Sequence, residues 1–75
     1  MEKIIVSETW IVGWSTKQNN QHIRRTVRRF GLSEFFRAYQ KFLLMSNRDK
    51  VIYCHLSKRI EYEDGSIVVK TLYHV

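Results

Sequence analysis

Seventy-five residues carrying 13 Lys or Arg against seven Asp or Glu, with a net charge of +6, describe one small basic domain. A chain of this size buries little more than roughly 60% of its unfolded surface, yet 44% apolar and 13% aromatic residues suffice for a core and exclude a disordered segment. No run approaches the roughly 18 apolar residues of a membrane span, and Glu2, Lys3, Ser7, Glu8 and Thr9 interrupt any leader-like stretch.

The single Cys54 cannot close an internal disulfide, so a soluble protein of the reducing cytoplasm is expected, with a homodimer as the natural supplement to a small core. The charge is concentrated in one segment. Between Lys17 and Lys50 stand nine cations (Lys17, Arg24, Arg25, Arg28, Arg29, Arg37, Lys41, Arg48 and Lys50) against Glu34 and Asp49. The flanking segments are close to neutral.

Residues 3–14, KIIVSETWIVGW, are β-branched and aromatic and predict a strand. Ile4, Val6, Trp10, Val12 and Trp14 would share one face. Glu8 interrupts that pattern, which calls for a bulge near Ser7-Glu8 or for a sheet edge at Glu8. Residues 15–20, STKQNN, read as a break, with Asn19 or Asn20 as the N-cap of a helix running to about Phe30. Ile23, Val27 and Phe30 recur at i, i+4 and i+7 as its buried stripe, leaving Arg24, Arg25, Arg28 and Arg29 on the opposite side.

Gly31 would end this helix in a left-handed conformation. Ser33 would cap a second helix, with Glu34 in its first turn and Asn47 with Arg48-Asp49-Lys50 at its end. Phe35, Phe36, Tyr39, Phe42 and Leu43 form its apolar face, and Arg37, Lys41 and Arg48 its outer one. Residues 51–75 predict a β-hairpin closed at Asp64-Gly65 by a two-residue type I′ turn. That turn pairs Tyr62 with Ile67, Ile60 with Val69, Leu56 with Tyr73 and Cys54 with Val75 on an apolar face. Tyr53, His55, Ser57, Arg59 and Glu61 would share the other face with Val68, Lys70, Leu72 and His74. The expected fold is α+β, in the order β-α-α-β-β, a three-stranded, mostly antiparallel sheet carrying two helices on one face.

Arginine forks onto phosphate and stacks on bases, and four unpaired guanidinium groups on one helix repel one another until an anion relieves them. The nucleic-acid-binding set is therefore Arg24, Arg25, Arg28 and Arg29, extended by Arg37, Lys41 and Arg48. Tyr53, His55, Arg59 and Lys70 form a secondary binding group, Tyr53 being the aromatic best placed to stack a base. The partner expected from this pattern is nucleic acid, RNA favoured over DNA.

The same arginines would also suit an acidic protein surface, or remain a solvated face. His55 opposite His74 supplies only two metal ligands, with no CxxC or HxxxH spacing beside them, so neither metal nor cofactor is expected. No glycine-rich phosphate loop, HExxH or GxSxG occurs, so no enzyme is expected. A tiny, proline-free chain with dense one-sided charge resembles the small accessory proteins that bacteriophages make against host enzymes or defences. That resemblance implies action by occlusion, of RNA or as an inhibitor of a host protein.

Overall fold

A computed structural model describes residues 3–18 and 22–75. Four strands, β1 (Ile5–Lys17), β2 (Ile23–Gly31), β3 (Val51–Tyr62) and β4 (Ile67–His74), form one sheet in the order β2-β1-β3-β4, antiparallel at every junction. A 3₁₀ turn, Leu32–Glu34, leads into the helix α1 (Phe35–Ser46). The expected three strands and two helices are thus corrected to four strands and one helix among the described residues, and the strand expected at residues 3–14 is Ile5–Lys17, a central strand with both edges paired.

The main departure is the arginine segment, which is strand β2 instead of a helix. Its apolar positions, Ile23, Val27 and Phe30, match a helical stripe only by coincidence. The segment also holds β-branched Ile23, Thr26 and Val27, which favour a pleated surface. Pairing with β1 sets Phe30 beside Trp10 and Thr26 beside Trp14. Extended backbone also separates the guanidinium groups, since alternation sends Arg24 and Arg28 to one face and Arg25 and Arg29 to the other. In a helix all four would have crowded one side. The proposed caps at Asn19 or Asn20 lie outside the described residues.

Gly31 has φ −63° and ψ 159°, an extended conformation, so it does not end a helix in left-handed geometry. Ser33 falls within the 3₁₀ turn and caps nothing. Instead the Glu34 carboxylate accepts the Gly31 N–H at 3.1 Å and Arg37 Nη1 at 2.7 Å. The first of these bonds, with help from the second, holds Glu34 below the usual carboxylate range. At the other end Asn47 Nδ2 donates to Leu43 O at 2.8 Å, closing α1 where the sequence placed its end.

The β3–β4 hairpin forms, with a different turn. Gly65 alone has positive φ (87°) among the described residues. Its N–H bonds to Tyr62 O, and Tyr62 N–H to Ser66 O, so the loop is Glu63-Asp64-Gly65, with Gly65 at the left-handed position of a three-residue connection. Near the turn the register is therefore shifted by one residue, with Ile60 opposite Val68 and Glu61 opposite Ile67. A bulge between Leu56 and Ser57 restores the expected pairs Leu56–Tyr73 and His55–His74. Val68 and Lys70 consequently lie on the helix side, not beside His55 as expected.

The core sits between α1 and the sheet. Val12, Cys54 and Leu56 from the sheet meet Ala38, Phe42 and Met45 from the helix, with Trp10, Trp14, Phe30, Phe35, Tyr39 and Val51 packed around them. The inward stripe of α1 is thus Phe35, Ala38, Tyr39, Phe42 and Met45, whereas Phe36 is 80% exposed and Leu43 is 43% exposed. A bulge between Ile5 and Ser7 places Glu8 on the helix side of β1, where it pairs with Lys58 at 3.1 Å. Ile4 and Val6, before and within that irregularity, remain exposed.

Candidate functional site

Two regions flank the edge strand β2. On the helix side, β2, the C-terminal half of α1 and the following turn enclose a groove of about 650 Å³. Arg24 enters it from β2, Lys41 from α1, and Arg48 and Lys50 from the turn; Asp49 is the one acid in its lining. Trp14 forms part of the floor, and Lys41 Nζ lies 5.4 Å from its ring centroid, which fixes the ammonium over an aromatic face. The Lys17 N–H bonds to Lys50 O at 2.9 Å, so the end of β1 anchors the turn that supplies two of the cations.

Arg28 shares the helix side of β2 with Arg24, across from Val12. None of Arg24, Arg25, Arg28 and Arg29 forms an ion pair with a carboxylate among the described residues, and all four are exposed. Arg37, by contrast, is held by Glu34 and stands outside the groove. Of the seven residues expected to form one cationic track, the groove brings together Arg24, Lys41 and Arg48. It adds Lys50, whose charge the sequence displayed but whose position depended on the loop.

Among the described residues, the opposite side of the sheet carries no helix. Arg25 and Arg29 project there from β2, and Tyr53, His55 and Arg59 from β3. A second groove, of about 420 Å³, runs across it with Arg25, Tyr53 and His55 in its lining. The His55 ring lies over Gly13, where an added Cβ would come within 2.3 Å of Nε2. His55 Nδ1 is 2.8 Å from Ser57 Oγ, which in turn donates to Thr71 Oγ1 at 3.2 Å. Burial pushes the imidazole below its usual pKa by disfavouring its charged form.

His74 is paired with His55 in the sheet, as the hairpin predicted, while the His55 ring bonds to Ser57. No group of three or more His, Cys, Asp or Glu gathers as a metal cage among the described residues. Cys54 is buried, its Sγ 3.7 Å from Phe42 O, and burial pushes its thiol up, away from the reactive thiolate. At the hairpin turn Asp64 is engaged locally, accepting from Ser66 and pairing with Lys3 at 3.7 Å. Lys70 stands opposite Lys58 on the helix side, apart from the Tyr53–His55–Arg59 group.

No helix among the described residues is long and apolar enough to cross a membrane. Compared with known proteins, the chain matches no family model, no curated protein and no solved structure.

Proposed function

We propose that this protein is a non-catalytic nucleic-acid-binding module of the cytoplasm that holds the phosphate backbone in the groove beside β2. The observation that carries the reading is the convergence of Arg24, Lys41, Arg48 and Lys50, from three separate parts of the chain, on one concave surface with a single acid. Like charges brought together by folding raise the energy of the free protein, and a polyanion lowers it while releasing counterions. A groove lined by long cationic side chains reads charge and spacing, not sequence. The other arginines of β2, without a carboxylate partner among the described residues, continue the positive surface past the groove.

Alanine substitutions test this residue by residue. Arg24→Ala and Arg48→Ala should each weaken binding to any oligonucleotide regardless of sequence, and each should reduce the log–log salt slope by about 1. Arg37→Ala removes the same charge outside the groove and should leave the slope unchanged. Equal effects at all three positions would show a diffuse field instead of a groove, and unchanged binding in folded Arg24 and Arg48 variants would reject the site.

A further inference from the structure

Resting on that reading, we infer that the helix-free groove is a seat for one unstacked base, which makes a single strand the preferred nucleic acid. Three features of the groove point to a planar ligand. Its floor is made of rings: Tyr53 and His55 have centroids 5.8 Å apart with planes inclined by 40°, and Tyr53 is 44% exposed. The glycine at position 13 leaves the space in which the His55 ring lies across the sheet, and Ser57 fixes its orientation. An irregularity where β1 meets β3, between Ser15 and Thr16, falls at Ile52 on β3 and brings Ile52 into the same groove as Tyr53.

Val27 and Ile52 provide apolar contact for the edge of a base, and Arg25 stands in the lining to meet a neighbouring phosphate. The volume lies within the roughly 300–1,000 Å³ of small-ligand sites.

Charge argues for this occupant over a second copy of the chain. The helix-free side carries Arg25, Arg29 and Arg59 together with Glu61, but the groove itself is lined by Arg25 and no acid, so a two-fold contact centred on it would oppose arginine to arginine. A base with its phosphate supplies a ring to stack on Tyr53 and the anion that the groove lacks. Stacking on an aromatic side chain tolerates every base, so the seat selects for unpaired bases and not for a sequence. Together with the phosphate groove on the other side of β2, it describes a strand passing over an arginine-lined sheet edge.

The test compares Tyr53→Ala and Tyr53→Trp with the unaltered protein on three labelled probes of equal length: a single strand, the same strand with abasic sites, and a duplex. The unaltered protein should prefer the base-bearing single strand over the abasic strand by roughly tenfold. Tyr53→Ala should abolish that preference while leaving abasic and duplex affinity unchanged, and Tyr53→Trp should restore it. Equal affinity for base-bearing and abasic strands in the unaltered protein would overturn the base seat and leave the phosphate groove standing. Failure of all three probes to bind would overturn both. A Tyr53→Ala loss shared equally by all probes would reduce Tyr53 to a structural residue, and concentration-dependent dimerisation abolished by the same change would assign the face to a second copy.

Discussion

At the scale of single residues, Gly13 and His55 form a coupled pair. Glycine within a strand normally costs stability relative to alanine, by roughly 0.5–1 kcal/mol. Here an alanine Cβ would meet His55 Nε2 at 2.3 Å, and the ring is tied to Ser57. Gly13→Ala should therefore destabilise the protein by about 1–3 kcal/mol in urea titrations. In a His55→Ala background the same change should be neutral or stabilising, and a penalty of the same size there would place the clash elsewhere.

His55 also imposes a pH dependence. Burial holds its pKa below the usual 6.5, so as pH falls the unfolded chain takes up the proton first. Stability attributable to this group is complete above about pH 6.5 and is lost as the pH falls through the lower, folded value. Melting temperatures measured from about pH 8 to 5 should decline on the acid side, and His55→Gln should flatten that part of the profile. An unchanged profile in the variant would assign the decline to other groups.

At the scale of elements, legibility in the sequence tracked how strictly the backbone dictates residue type. The β3–β4 hairpin was readable because Asp64-Gly65 fits few conformations, and its far pairs, Leu56–Tyr73 and His55–His74, stand where the turn placed them. The near pairs slipped by one because the left-handed position is Gly65 alone, and the bulge that compensates leaves no composition signal. The end of α1 and its Phe35, Tyr39 and Phe42 stripe were readable from helical spacing.

Strand β2 was not legible. Its long charged side chains suit an exposed edge strand as well as a helix, and its identity rests on Trp10 and Trp14 across the sheet. The groove shared this fate, since Lys41 and Arg48 were identified by charge whereas their meeting with Arg24 required β2 to be extended. Amide exchange tests the element directly. Protection from Ile23 to Gly31 should alternate with a period of two, as N–H groups point in turn to β1 and to solvent; a helical pattern of continuous protection would refute the strand. On α1, Phe42 is 6% exposed at the centre of the core. Phe42→Ala should cost about 3–5 kcal/mol. Total stability for this length is roughly 4–11 kcal/mol. Urea curves should thus show a protein close to its folding threshold; a loss below about 1 kcal/mol would mean that α1 does not carry the core.

At the scale of the whole molecule, the described residues form a plate, 48 × 27 × 15 Å, with one helix on a four-stranded sheet. So thin a body has no interior to spare for a deep pocket, and its working surfaces are its faces and rims. The edge strand β2 carries four arginines without acidic partners among the described residues, which opposes edge-to-edge pairing with another copy and presents cations to both faces at once. The cationic groove and the ring-floored groove flank that edge. The most direct test of a polyanion held there is fluorescence anisotropy of a labelled single strand across a salt series. Arg24, Lys41, Arg48 and Lys50 together give an expected log–log slope of about −3, a roughly fiftyfold loss of affinity between about 50 and 200 mM salt. Absence of binding at low salt, or an affinity that does not change with salt, would contradict the account.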